Sequence, residues 1–225
     1  MEYRNELKFF VTDRDLELIK YRLQPLMRTD IHQNGESYMV RSLYFDDYQD
    51  SCKRENEDGI GNRKKFRIRI YNADDTFIRL EQKIKYGERN RKEVSFLSRE
   101  ECLAYMDCNI RSLPEAHSKQ ERELHMKIKL KGMHPVCIVE YKRTAWVEPK
   151  GNVRITFDRN IGGSSRTGSF LDEKIMPVPL LPKGVNILEI KYDMLFPQYL
   201  HEVLNIGILQ RSAFSKYYYA REVQG

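Results

Sequence analysis

This sequence has little that would support membrane, secretory or thiol chemistry. Its apolar runs all fall short of the ~20 residues that a helix needs to span a bilayer. The start, Met1-Glu2-Tyr3-Arg4-Asn5-Glu6, carries charges where a signal peptide would carry apolar residues. Cys52, Cys102, Cys108 and Cys137 show no Cys-x-x-Cys spacing and no paired histidines nearby. That predicts reduced thiols in a cytoplasmic protein and no zinc site. No Ser-His-Asp or Cys-His arrangement is legible, and His32, His117, His125, His134 and His201 are expected on surfaces or loops. There is no internal repeat and no linker that divides the chain, so residues 1–225 read as one domain.

Charge is abundant. Thirty-nine Lys and Arg against thirty-three Asp and Glu give a net +6, which favours an acidic partner such as nucleic acid, a membrane surface or a phosphorylated small molecule. The cations are patterned. Lys65, Arg67 and Arg69 alternate with Phe66, Ile68 and Ile70, and Arg79, Glu81, Lys83 and Lys85 alternate with Ile78, Leu80 and Ile84. Arg154, Thr156 and Asp158 alternate with Val153, Ile155 and Phe157, and Glu189 and Lys191 with Leu188, Ile190 and Tyr192. Strand side chains alternate between faces, so each segment carries one apolar face and one charged face.

The spacing predicts strands over 3–11, Tyr38–Phe45, 63–72, 76–86, 91–97, 135–148, 152–160 and 185–193. Helices are predicted after Thr12-Asp13-Arg14-Asp15, up to Asp58, from the capping box Ser98-Arg99-Glu100-Glu101 to Cys108, over 118–131, and from Pro197 to Gly207. A last turn or helix begins at Phe214-Ser215-Lys216-Tyr217, and Gly162 through Pro182 reads as a loop. Tight turns are expected at Asn72-Ala73-Asp74-Asp75, Gly87-Glu88-Arg89-Asn90 and Pro149-Lys150-Gly151-Asn152. Trp146 and Tyr217-Tyr218-Tyr219 read as packing residues, and Lys127, Lys129 and Lys131 as a solvated helix face.

About eight mostly antiparallel strands with several helices make an α+β protein. Periodicity alone fits two arrangements: an ordinary sheet with its polar face to water, or a closed antiparallel β-barrel with charged residues inside and helices packed outside. Composition favours the barrel, because like charges at i and i+2, about 7 Å apart, repel unless an anion lies between them. The pairs Glu6-x-Lys8, Glu81-x-Lys83 and Glu189-x-Lys191 set a carboxylate beside a cation on three strands, which suits a phosphate bridged by Mg²⁺ or Mn²⁺.

These stretches resemble the VTC (vacuolar transporter chaperone) catalytic domain, a branch of the triphosphate tunnel metalloenzymes or CYTH superfamily. The resemblance is carried by Glu6-Leu7-Lys8-Phe9, Val40-Arg41-Ser42-Leu43-Tyr44-Phe45-Asp46, Lys65-Phe66-Arg67-Ile68-Arg69 and Leu80-Glu81-Gln82-Lys83. It continues through Tyr141-Lys142-Arg143-Thr144-Ala145, Val153-Arg154-Ile155-Thr156-Phe157-Asp158, Leu188-Glu189-Ile190-Lys191 and Phe214-Ser215-Lys216-Tyr217. The resemblance implies a tunnel fold that binds triphosphate or polyphosphate with a divalent metal, and for this branch the ATP-dependent extension of polyphosphate. Lys8, Arg67, Arg69, Lys83, Lys85, Arg143, Arg154, Lys191 and Lys216 would hold phosphate oxygens, and Ser215 would donate to one. Glu189 would be the metal ligand, with Glu6 and Glu81 as further metal ligands or, in a hydrolase, as the base that activates water.

Two positions depart from the family pattern. Arg4 stands where the superfamily's first carboxylate would be. Ala213 stands where the polymerase branch tends to have a lysine, so that one phosphate contact is either missing or supplied by Arg211. The resemblance implies a free-standing catalytic domain and leaves open a membrane-protein partner that exports the product. A triphosphate hydrolase and a non-catalytic sensor of polyphosphate or inositol phosphates are the competing functions. No nucleic acid partner is expected, because the cationic strands lack the exposed aromatic positions on which single strands stack.

Overall fold

The computed structural model describes residues 4–31, 33, 35–87, 89–109, 111, 115–149, 151–204 and 209–223. Among them are β1 (Asn5–Thr12), α1 (Asp13–Leu23), β2 (Arg28–Thr29), β3 (Tyr38–Asp46), α2 (Ser51–Glu57), β4 (Asn62–Tyr71), β5 (Asp74–Tyr86) and β6 (Arg89–Leu97). There follow α3 (Arg99–Asp107), α4 (Lys119–Lys131), β7 (His134–Glu148), β8 (Val153–Ser164), β9 (Val178–Pro179), β10 (Val185–Tyr192), α5 (Gln198–Leu204), β11 (Gln210–Arg211) and α6 (Lys216–Glu222). The eight predicted strands are the eight long ones, and the three two-residue strands were not foreseen. His32, Glu88, Lys150 and Gly207, which figured in predicted turns, loops and a helix end, lie outside the described residues.

The strands form one antiparallel sheet in the order β11-β1-β10-β8-β7-β3-β4-β5-β6, with β2 on β7 and β9 on β8. The predicted closed barrel is realised in part, because among the described residues no ladder joins β6 to β1. One bridge crosses the seam, with Arg4 N to Asn90 O at 3.0 Å and Asn90 N to Arg4 O at 3.1 Å. Beside it Glu6 Oε2 accepts from Lys83 Nζ (2.9 Å) and Asn90 Nδ2 (3.0 Å). Further along, β11 takes the edge of β1 at Phe9 and Phe10 and keeps β6 away.

The apolar faces point outward under the helices, as the alternation requires. Phe66, Ile68, Ile70, Ile78 and Leu80 share one core with Cys102 and Tyr105 of α3 and Leu124 and Ile128 of α4. Phe9, Val11, Ile155, Phe157, Leu188 and Ile190 share a second with Leu16, Ile19 and Leu23 of α1 and Leu200 of α5. Each such side chain contributes about 1.5–3 kcal/mol on leaving water. Three helices start at reciprocal capping boxes, Thr12 with Asp15, Ser98 with Glu101 and Ser118 with Glu121. Trp146 packs in the second core against Phe157, with ring centroids 4.4 Å apart. The Lys129 and Lys131 end of α4 is exposed. All four cysteines are free thiols, and among the described residues no helix is long and apolar enough to cross a membrane.

The predicted loop from Gly162 is corrected by the structure. There β8 continues to Ser164, and a 3-10 turn (Thr167–Leu171) and β9 follow. The glycines that read as a loop permit close approach. A Cβ on Gly162 would lie 2.8 Å from Pro177 Cβ, and one on Gly163 would lie 3.0 Å from Ala220 Cβ of α6. Buried Arg41 holds the segment down, pairing with Glu140 (2.6 Å) and donating to the carbonyls of Phe170 and Asp172.

Candidate functional site

The inner face of the sheet encloses a cavity of about 1320 Å³, lined among the described residues by sixteen Lys and Arg and only four Asp and Glu. Register explains the excess. Across β4 and β5, Arg63 faces Lys85, Lys65 faces Lys83 and Arg69 faces Arg79, and across β5 and β6 Lys83 faces Lys92. Like charges directly opposite each other destabilise a sheet. The one relieved pair in the β4–β5 row is Arg67 opposite Glu81.

Every predicted phosphate-binding residue lines this cavity: Lys8, Arg67, Arg69, Lys83, Lys85, Arg143, Arg154, Lys191, Ser215 and Lys216. Arg211 lines it too, on the same side as Ala213. Of the predicted metal ligands, Glu6 and Glu189 line it and Glu81 does not. Glu81 is fully buried in the wall, where Oε2 accepts from Arg67 Nε (2.8 Å) and Nη2 (2.6 Å) and Oε1 from Lys92 Nζ (2.9 Å). It orients guanidinium groups, and its oxygens are already taken.

Sequence reasoning missed the acids and phenols behind the cations. Asp158, fully buried, accepts from Arg143 Nε (2.6 Å) and Nη2 (2.7 Å) and pairs with Lys216 Nζ (2.6 Å). Burial pushes its carboxyl up, and Arg143 and Lys216 outweigh that and hold it below the usual range. Asp30 pairs with Arg154 at 2.7 Å, and Tyr38 Oη accepts from the same Arg154 Nη2 at 3.1 Å. Tyr44 Oη accepts from Arg67 Nη1 (3.1 Å), and Tyr141 lies under Arg143 and Lys216. The available signal was parity: Tyr38 and Tyr44 share a strand face with Ser42, which accepts from Arg69 Nε at 2.9 Å.

Two of the four carboxylates in the lining, Glu6 and Glu189, flank one ammonium. Lys191 Nζ lies 2.7 Å from Glu189 Oε1 and 3.5 Å from Glu6 Oε1. Burial pushes Glu6 up, but Lys8, Lys83 and Lys191 together bring it down to about 2. Burial likewise raises Glu189, and Lys191, Arg143, Lys8 and Lys216 hold it well below the usual carboxylate range. Both are therefore anions at neutral pH. Glu6 Oε1 is buried and accepts no hydrogen bond among the described residues. Hard oxygen donors, one of them held, among the described residues, only by ion pairs to Lys191 (3.5 Å) and Lys8 (3.9 Å), fit a divalent cation such as Mg²⁺ or Mn²⁺. Among the described residues no group of three His, Cys, Asp or Glu could hold a metal, so these two would need phosphate oxygens or water to complete a shell.

The family model of the VTC domain matches residues 3–223. The chain belongs to the VTC domain family. No curated protein sequence matches this VTC domain. Solved structures share its fold at low identity. A proposed adenylyl cyclase from Hippeastrum, described as having a dominant triphosphatase activity, is 14% identical with a TM-score of 0.60, covering 99% of the VTC domain and 96% of its own chain. The PH1819 protein of Pyrococcus horikoshii is 14% identical with a TM-score of 0.53, at 98% and 99% coverage. A proposed adenylate cyclase from Bacillus halodurans is 13% identical with a TM-score of 0.52, at 94% and 95%.

Proposed function

We propose that this VTC domain binds nucleoside triphosphate and polyphosphate in the basic cavity and catalyses ATP-dependent polyphosphate synthesis. The observation that carries the reading is the wall of opposed cation pairs facing one cavity, with sixteen Lys and Arg to four Asp and Glu among the described lining residues, an excess that a bound polyanion would offset. In the reaction the bond from the γ-phosphorus to the β–γ bridging oxygen breaks, a terminal oxygen of the growing chain bonds to that phosphorus, and ADP leaves. Such a transfer has a loose transition state, so positioning and charge stabilisation do most of the work. Arg67, Arg69, Arg143 and Arg154 offer planar guanidinium groups held by acids, hydroxyls and phenols behind them, suited to non-bridging oxygens. Lys8, Lys83, Lys191 and Lys216 add point charges, and Ser215 keeps an O–H to donate. Glu189 and Glu6 would hold a divalent cation, which when bound neutralises phosphate charge.

Hydrolysis of triphosphate is the second reading, favoured by the fold shared with the Hippeastrum protein described as a triphosphatase. Purified protein incubated with ATP and Mn²⁺ separates the two. Polymer resolved on a gel is the expected result. Orthophosphate without polymer would support hydrolysis, and ATP left intact beside tight polyphosphate binding would mean a sensor.

The pH dependence follows from two lysines. Burial, with Arg63 beside it, lowers Lys65 to about 7, and burial with Lys8 and Lys191 lowers Lys83 to about 8. Polyanions bind the charged forms, so affinity for tripolyphosphate should fall as pH rises from 7 to 9, with protons taken up on binding at pH 8. Calorimetry in buffers of different ionisation enthalpy reads that uptake, and a flat result would remove both lysines from the site. Folding runs the other way. Both folded values lie below the unfolded one, so the unfolded chain holds more protons and these lysines add stability as pH rises through that window.

A further inference from the structure

One rim of the cavity departs from the basic lining. Phe77 and Phe96 lie on the inner face of β5 and β6, the face that carries Arg79, Glu81 and Lys83, and both are exposed, at 42% and 63%. Phe96 sits directly opposite Arg79, and the two phenyl rings are 5.2 Å apart. The Arg79 guanidinium lies over both, 4.5 Å from the Phe77 centroid and 5.9 Å from that of Phe96, with Tyr71 at 5.2 Å on its other flank. Its Nε is buried without a hydrogen-bond partner among the described residues. Tyr71, Phe77 and Arg79 all line the cavity, so the apolar patch is continuous with the cationic wall.

Paired rings left wet at the mouth of a cavity are a place for something to stack. What the cavity takes in decides what that is. An inorganic phosphate chain has no π face, whereas a nucleoside triphosphate joins one to the polyanion that the lining suits. The spacing agrees. Phe77 and Lys83 are six positions apart on β5, about 20 Å at the rise of a strand. A base at the rim would thus send its phosphates inward past Arg69 and Arg67 toward the Glu6, Lys83 and Lys191 cluster.

We infer that Phe77 and Phe96, edged by Arg79, form a stacking platform for the base of the nucleoside triphosphate, an inference that rests on the phosphate-binding reading above. It sets a direction: the nucleotide enters base-last at this rim. The platform also separates two ligands that the basic wall alone would treat alike, ATP and inorganic tripolyphosphate.

The test is equilibrium binding of ATP and of tripolyphosphate, in one buffer, to the wild type, Phe77→Ala, Phe96→Ala and Phe77→Trp. Both phenylalanines are surface-exposed, so the variants should fold, and a thermal melt verifies that. Loss of a stacked ring weakens base binding, so each alanine variant should bind ATP about tenfold more weakly, about 1.4 kcal/mol. Tripolyphosphate affinity should stay unchanged, and Phe77→Trp should retain ATP. Unchanged ATP affinity, or equal weakening of both ligands, would overturn the platform while the phosphate-binding reading stands. If tripolyphosphate does not bind the wild type at all, that reading fails and takes the platform with it.

Discussion

Glu189→Gln should leave tripolyphosphate bound and stop turnover. The carboxylate is within 2.7 Å of Lys191 and lies among Arg143, Lys8 and Lys216, so the amide removes a negative charge from a strongly positive region. Anion binding should stay the same or tighten. Catalysis should fall at least a thousandfold, because a neutral amide supports a divalent cation poorly where phosphate charge develops. The readouts are polymer or phosphate release with Mn²⁺ and, separately, tripolyphosphate affinity. Turnover near wild type would make Glu189 a plain ion-pair partner of Lys191. Lys191→Ala should likewise abolish turnover, but through weaker anion binding.

The second large effect is on stability. Asp158→Asn leaves Arg143 and Lys216, both with side chains about 10% exposed, without the carboxylate they share. Breaking a buried pair by deleting one partner costs about 3–5 kcal/mol. For a domain of this size each kcal/mol shifts the melting midpoint by about 2–4 °C, so a fall of about 10 °C is expected. Burial would lower Lys216, and Asp158, with smaller help from Tyr141 and Glu189, holds it above its ordinary value, so the lysine should titrate lower in the variant. Tripolyphosphate restores a negative charge between the two cations, and saturating it should recover much of the lost midpoint. A wild-type melt without ligand would mean that the cations find other partners.

Much of this was legible in the residues. Lys65, Arg67 and Arg69 share parity against a Phe66, Ile68, Ile70 stripe, and period two separates the set buried under helices from the charged set, while the excess of like charge is what pointed the charged set inward. The ten phosphate-binding candidates could be chosen because each sits on such a stripe or in a matched stretch. Glu81 shows the limit. Its spacing to Lys83 is the same as that of Glu189 to Lys191, and only register reveals that Arg67 faces Glu81 and takes its oxygens. Asp158 and Tyr44 were hidden for a related reason, since a side chain that positions another is defined by its neighbour on the next strand. Gly162 and Gly163 misled because glycine marks turns and close contacts equally, and the contact with Pro177 and Ala220 is non-local. Closure was likewise beyond local pattern, since it depends on where β11 ends along the edge of β1.

The seam between β1 and β6 is the weak side of the curved sheet. Among the described residues, parting it there breaks two side-chain bonds at Glu6 and one Arg4–Asn90 bridge, whereas parting β4 from β5 would unzip nine register pairs. Glu6 and Lys83 therefore act as a clasp. On the proposed function, that slit would let a polyphosphate chain be laid in sideways, with no need to find an end to thread.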